Sequence, residues 1–475
     1  MVRLSASFLG PDAQSVNDTP DTPLLAGRLI TTEELSCAKG HVYPLLLVRL
    51  ALTWVCEAHS SYRGVALIFS SLQGVVVAVG PCAETIRLWL LRVGLFLLRR
   101  PLPRCSDWVF LVDLTIQLGE HKCLVILGVR LSVLRSKGYS PDHHDVQVLS
   151  VAVLTRCNGE TVAAHLGTLS KRLGVPVQVV SDHGSDVLAG IRLFRRTQQD
   201  HQRVVETYDI THGLAILLKN QLEPDERWAS FVQACQSTRQ QLQQTAGSFL
   251  KPPAWRSKAR FLNLESHLKW ANEMLVLLQG ADVATLAEQL GPGVAEAGKW
   301  LEERLGWLRA YAREVHAWSY FQKVVKVAEE EIKEAGLSRT SWRRAKDRLE
   351  GESQPVGAEK EFRGRVLSFV RKEGAKVPAR QKYLGSTDVL ESLFGKYKDL
   401  AAQAPCREIT ANVLMIPLLV TSLTADLLRQ ALETIRAQDV EEWLDEHLGP
   451  SPQKKKRAVL NAARSSNMNE GPEPA

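Results

Sequence analysis

Apolar positions recur at helical spacing over three short stretches near the start of the chain, Tyr43–Ala58, Ser60–Leu72 and Ala83–Leu98, with Gly80-Pro81 breaking the last two apart. Ser60 and Ser61 are placed to cap the second helix. From Asp107 the period changes. Val109–Ile116 and Cys123–Leu131 predict strands joined by a hairpin turn at Gly119-Glu120-His121-Lys122, and Val146–Thr155 predicts a third strand. Glu160–Leu173 reads as an amphipathic helix, and Pro176–Val180 as a strand ending at Ser181-Asp182. Asp186–Arg195 is a short helix, Val204–Tyr208 a fifth strand, and His212–Leu222 starts another helix. Three strands followed by βα units imply a mixed sheet with helices on its faces.

After Lys219 the strand pattern stops. Asp225–Gln244, Phe261–Leu278, Ala295–Ala335, Ser341–Leu349 and Glu359–Lys372 read as helices, with breakers at Lys251-Pro252-Pro253, Gly291-Pro292-Gly293 and 351–357. This block carries tryptophans 228, 255, 270, 300, 307, 318 and 342, which fill helix interfaces in the simplest reading. Gly385-Ser386-Thr387-Asp388 is an N-cap signal opening a helix over Val389–Leu400, and two more helices precede Gly449. The expected division is a lead-in over 1–38, a helical unit over 39–104, a sheet-bearing part over 105–224, an all-α block over 225–382, a closing helical part over 383–449 and a polar tail over 450–475.

Composition adds limits. The chain has 475 residues, 45% hydrophobic and 23% charged, which is ordinary for folded globular protein. Its eight cysteines show no C-x-x-C spacing, so they read as reduced thiols, without a zinc ribbon or disulfide framework. The uncharged run from Gly64 to Ala83 is interrupted by Ser70, Ser71, Gln73, Gly74, Gly80 and Pro81, and reads as buried helix and turn instead of a membrane span. No secretion signal is evident, and a cytoplasmic, nucleoid-associated location is expected. The net charge is +7. Between 41 and 104, seven arginines oppose Glu57 and Glu84, so much of the excess lies in the first helical unit.

That unit reads either as a helix-turn-helix with its last helix in the major groove, or as a three-helix cap with solvated arginines. In the first reading Arg63, Thr85, Arg87, Trp89 and Arg92 meet DNA. Arg343 and Arg344, in the basic run Arg339–Arg348, add either a phosphate-contacting edge or a solvated helix face.

Three carboxylates stand out. Asp113 interrupts an apolar strand, Asp182 ends another, and Glu391 occupies the second turn of an otherwise apolar helix. A charge within an apolar strand is costly unless paired or metal-bound. With strands one and four side by side, Asp113 and Asp182 converge at one edge of the sheet, where a divalent cation offsets their repulsion. Asp186 is placed to cap the following helix, and Asp142-His143-His144-Asp145 reads as a solvated turn. Neither G-x-x-x-x-G-K-[ST] nor G-x-S-x-G occurs, so no nucleotide-driven step and no serine elbow is expected.

The segments Trp108–Thr115, Val179–Asp186 and Thr387–Lys398 resemble the three acidic segments of bacterial insertion-sequence transposases with an RNase H-like DDE domain, a likeness that covers roughly Pro81 to Leu400. The resemblance implies Asp113, Asp182 and Glu391 as catalytic triad and metal ligands, holding two Mg²⁺ or Mn²⁺ ions. The 209 residues from Asp182 to Glu391 exceed the compact members and imply an all-α insertion of the hAT-like kind. Asp209-Ile210-Thr211-His212 resembles the C/D-x-x-H segment of that group. Asp209 and His212 then either serve the metal site or DNA, or cap and pack the helix that follows. The implied fold is a mixed α/β RNase H-like catalytic domain with a large all-α insertion, preceded by a helix-turn-helix domain. The implied function is a transposase that binds element ends in double-stranded DNA as a homodimer or higher oligomer, away from membranes, and carries out strand cleavage and strand transfer. A silent DNA-binding regulator derived from a transposase, and a nuclease without strand transfer, are the rival readings.

Overall fold

Alternation along the first strand decides how the two faces of the sheet are covered. The computed structural model describes residues 30–449 and 455–462, apart from 75–78, 119–120, 200–202, 256–260, 262, 281, 292–295, 351–354 and 402–408. Most of the expected lead-in, Lys454 of the basic tail and the first half of the hairpin turn lie outside the described residues.

Four helices come first: α1 (Thr32–Leu35), α2 (Leu45–Cys56), α3 (Tyr62–Ser71) and α4 (Ala83–Arg99). The sheet-bearing part follows as β1 (Trp108–Leu118), β2 (His121–Arg130), α5 (Leu131–Ser136), β3 (Gln147–Leu154), α6 (Gly159–Leu173), β4 (Gln178–Ser181), α7 (Ser185–Arg196), β5 (Val205–Tyr208) and α8 (Ile210–Leu222). The strands form one five-stranded sheet in the order β3-β2-β1-β4-β5. β2 is antiparallel to β1 and β3, and β4 is parallel to β1 and β5. This mixed α/β architecture is consistent with an RNase H-like domain carrying a helical insertion.

Trp108, Phe110 and Val112 of β1 face one way, into a core shared with Val162 and Leu166 of α6 and Val187 and Ile191 of α7. Val109 and Leu111 face the other way, with Val125 and Val180, into the core that also holds Leu90 of α4 and Leu214 of α8.

The insertion runs through α9 (Glu226–Leu242), α10 (Leu264–Gly280), α11 (Val283–Leu290), α12 (Ala297–Leu305), α13 (Ala312–Ala335), α14 (Ser341–Arg348) and α15 (Ala358–Lys376). Its tryptophans fill helix interfaces as expected: Trp228, Trp270 and Trp318 are buried, and Trp228 meets Trp318 edge-on at 5.0 Å. The chain returns as α16 (Asp388–Ala401), a 3-10 segment over Ala411–Val420, α17 (Ala425–Thr434) and α18 (Ala437–His447).

The expected recognition helix is differently placed. α4 packs against α2, α3, α17, α18, β3 and the 3-10 segment, and is a centre of packing for the closing helices. Trp89 is only 3% exposed and meets Tyr43 edge-on, and Arg92 donates to the backbone carbonyls of Leu432 and Ile435. Half-buried Arg87 is held by Glu84, and Thr85 is half-buried beside the Cys82 thiol at 3.2 Å. Of the five expected DNA contacts in this unit, Arg63 alone is exposed. The periodicity located the helices well, but a 17-residue helix with apolar positions around much of its girth is one that packs on several sides.

Among the described cysteines Cys56, Cys123, Cys157 and Cys235 are buried free thiols, and Cys37 and Cys82 are exposed. Among the described residues no helix is long and apolar enough to cross a membrane.

Close packing at Gly94 gives a test. A β-carbon there would come within 1.9 Å of the Leu414 carbonyl oxygen, a backbone atom that cannot step aside. Gly94→Ala is expected to destabilise by about 1–3 kcal/mol in denaturant unfolding. Gly167→Ala, in open space on α6, is expected to gain up to about 1 kcal/mol.

Candidate active site

Period-2 alternation puts Asp113 on the same sheet face as Val109 and Leu111, opposite Val125 of β2. Val112 of β1 is the parallel Cα partner of Ser181 of β4, so Asp113 and Asp182 each follow one member of that pair on neighbouring strands. Asp182 is the first residue after β4, at the mouth of the turn that leads into α7. Both side chains are half-buried. The β1–β2 register shifts between Asp113 and Ile116, an irregularity of the kind that re-aims side chains next to functional sites.

Glu391 lies in the first turn of α16, which begins at Asp388, and not in the second. Val389, Leu390, Leu393 and Phe394 of α16 are buried in the core on that same sheet face, and α16 packs against β1. All three carboxylates are therefore carried by elements that meet on one face. Among the described residues no three His, Cys, Asp or Glu side chains gather closely enough to hold a metal ion. The donor set itself is a pair of carboxylates on adjoining strands, and Mg²⁺ is commonly held by one or two carboxylates together with substrate phosphates.

The start of α16 is fixed by buried polar contacts. The Gln178 side chain donates to the Leu384 carbonyl at 2.6 Å and accepts from the Leu384 N–H at 3.1 Å. Asp209, fully buried, caps α8 by accepting from Thr211 N–H at 2.9 Å and His212 N–H at 3.3 Å, and also accepts the Thr387 hydroxyl at 2.6 Å. Ile210 N–H donates to the Gly385 carbonyl at 2.9 Å. Lys333 of α13 pairs with Asp388 at 2.5 Å. In this arrangement Asp209 is the helix cap that one reading of the sequence expected, and His212 leans over the Tyr208 ring at 5.9 Å.

Beside Asp182 lies a network the sequence reading missed. His183 adopts a left-handed backbone, φ 59°, while Asp182 accepts from Gly184 N–H at 2.9 Å across the tight turn. The His183 ring stacks on Tyr208 at 4.2 Å and its Nε2 meets Glu206. Glu206 also pairs with Lys376 at 3.3 Å, and Lys376 with Glu373 at 2.8 Å. Glu373 accepts the Tyr208 backbone N–H at 2.9 Å, so α15 covers the outer edge of β5. Burial alone raises the Glu206 pKa, but the His183 hydrogen bond and the Lys376 charge outweigh it and hold the carboxyl at about 2. Burial, and then the charges of Asp182, Asp209 and Glu373, push the Tyr208 hydroxyl up to about 12. Gln178 and Glu206 carried a readable signal, since each is a polar residue within an apolar strand.

Elsewhere, Asp186 sits in the first turn of α7 and the cap position is Gly184, so its carboxylate meets the helix dipole without capping. Asp142–Asp145 is a capped 3-10 turn, with Lys137 paired to both aspartates. Arg344 pairs with Glu331 and donates to Thr340 at 2.8 Å, whereas Arg343 is exposed and lies over the Trp342 ring at 5.4 Å.

No protein-family model and no curated protein matches the chain. Among solved structures it is similar to the Drosophila P element transposase strand transfer complex, at 11% identity over 83% of this chain and 93% of that chain, with a TM-score of 0.39. So low a score decides neither fold nor function.

The Glu206 network predicts acid behaviour. With its pKa depressed from 4.5 to about 2, Glu206 contributes stability that is present above about pH 4.5 and lost as pH falls toward 2. The contribution at neutral pH is about 3 kcal/mol. Glu206→Gln is expected to be less stable than the wild type at pH 7, with the difference shrinking between pH 4.5 and 2. A difference independent of pH in urea unfolding would sink the assignment.

Proposed function

We propose that the protein is a DNA transposase that cuts and joins DNA strands by metal-assisted phosphoryl transfer. The observation that supports this is that Asp113 and Asp182 each follow one member of a paired position on adjoining parallel strands, while α16, which carries Glu391, packs against β1. When bound, two divalent ions would polarise the scissile phosphate and lower the pKa of attacking water or a 3′-hydroxyl. Asp113 and Asp182 would hold those ions, with Glu391 as the third ligand, and the fixed strand backbones limit how far the carboxylates drift apart.

The contacts at Gln178, Asp209 and Lys333 serve to fix the Glu391 helix against the sheet, so completion of the site depends on the insertion being folded. Both steps of transposition are in-line displacements at phosphorus, and one set of carboxylates serves both. Double-stranded DNA is the expected partner. Arg63 and Arg343 are its candidate contacts among the residues singled out in the sequence, because both are exposed. Two element ends must be held together, which requires a dimer or larger assembly.

In a plasmid assay with labelled element ends and Mg²⁺, the wild-type chain is expected to yield cut and joined products. Asp113→Asn, close in shape to the native side chain, should bind the same DNA and give no detectable cleavage. Cleavage retained by Asp113→Asn would reject the site; cutting without joining would identify a nuclease, and binding alone a regulator.

A further inference from the structure

At the opposite ends of the same strands lies a basic face that the proposed chemistry does not use. A cleft of about 550 Å³ is lined by Arg192, Arg195 and Arg196 at the end of α7 and by Arg203 on the approach to β5. Arg203 also lines an adjoining cleft of about 570 Å³ with Arg104, Gly174 and Val175, where the chain enters β1 and β4. β4 spans four residues, so this edge stands roughly 13 Å from the Ser181 end at about 3.3 Å per residue.

Five guanidinium groups thus line two joined concavities. A helix C-terminus favours basic side chains, which accounts for Arg195 and Arg196. It does not account for Arg192 a turn earlier, for Arg203, or for Arg104 on a separate segment. Arg195 is half-buried and reaches Glu206 at 4.0 Å, and Arg104 donates to the Lys171 carbonyl at 2.6 Å. Arg192, Arg196 and Arg203 are exposed, and among the described residues no carboxylate pairs with them. Like charges gathered in concave surface repel, and an anionic ligand relieves that repulsion.

From this we infer a second nucleic-acid contact, in which Arg192, Arg196 and Arg203 take the phosphodiester backbone of a DNA segment separate from the one at the acidic corner. Positions i and i+4 on α7 stand about 5–6 Å apart, one helical turn, and present guanidinium forks that match phosphate oxygens. A bilayer is a poorer fit, because insertion needs a row of apolar side chains and the exposed large apolar residue on this helix is Leu193 alone. The contact reads backbone and not bases, so it is independent of sequence. It goes beyond the proposed chemistry and does not require the acidic residues to be active.

The test is fluorescence anisotropy on the full chain with a random-sequence duplex in EDTA, which suppresses metal-dependent cutting, over a series of salt concentrations. The variant Arg192→Ala/Arg196→Ala/Arg203→Ala should bind roughly ten- to a hundredfold more weakly near physiological salt. Its log–log salt slope should fall by about 2–3, at about 0.9 for each phosphate that is no longer neutralised. The triple arginine-to-lysine variant should keep most of the slope. Unchanged affinity and slope in the alanine variant would overturn the inference. So would undiminished DNA binding accompanied by loss of binding to phosphatidylserine vesicles. Should the triple variant fail to fold by circular dichroism, Arg196→Glu alone must weaken DNA binding, and a chain that binds as the wild type then refutes the proposed interaction. Cleavage lost or retained at Asp113→Asn bears on the acidic site and not on this one.

Discussion

Two buried polar side chains, Gln178 and Asp209, tie the far end of the chain to the sheet, and the rest of the arrangement hangs on them. Each sits where water cannot reach and must find its hydrogen-bond partners within the protein. Those partners are Leu384 and Thr387, 206 and 178 positions further along. Leaving a buried amide or carboxylate without them costs about 1–3 kcal/mol, and more for the charged group. The sheet is therefore incompletely satisfied until the insertion has folded and delivered residues 384–387. The same contacts that complete it set the position of α16, and with it Glu391.

The insertion is bound to the sheet at a second place, and by charge. Glu373 and Lys376 of α15 meet the Tyr208 backbone and Glu206 at the outer edge of β5. An edge strand left open is a pairing hazard, and here a carboxylate from a helix closes it. Packing supports both ties: a β-carbon on Gly213 of α8 would come within 2.2 Å of the Phe369 ring of α15. Two polar clamps and one tight helix contact make the insertion part of the catalytic architecture under the proposed function, so changes in its helices would act on the acidic corner from a distance.

Much of this was legible in the residues. Strand alternation and turn chemistry gave all five strands, and the apolar period α2, α3 and α4, to within about two residues at each end. That β1 and β4, which lead to Asp113 and Asp182, lie side by side followed from strand order, which the β-β-β-α-β pattern already implied. What periodicity cannot reveal is which sides of a helix are covered by segments hundreds of residues away. α4 carries arginines among apolar positions that run around much of its girth, and α17 and α18 arrive to cover it, with Arg92 donating to carbonyls at the end of α17. The Glu206 network was hidden for a similar reason. Its members, 183, 206, 373 and 376, come from three separate elements, and only the polar residue inside a strand marked it.

Charge follows the same logic. The count of arginines between 41 and 104 pointed to that unit as the basic face, yet a basic residue contributes to an outer field only if the fold leaves it unneutralised. Arg49 is paired with Glu34 and Arg87 with Glu84, while Arg92 keeps its charge but is turned inward onto backbone carbonyls. On α7 the order is reversed: the run Arg192, Arg195, Arg196 is modest in sequence, but β5 brings Arg203 beside it and the β1 approach adds Arg104 across the joined clefts. Local density of arginine along the chain is thus a poor guide to where a polyanion would be drawn. The useful quantity is the number of guanidinium groups that tertiary structure collects in one place without a carboxylate, and at the strand ends opposite the acidic pair it gathers Arg192, Arg196 and Arg203 in that way.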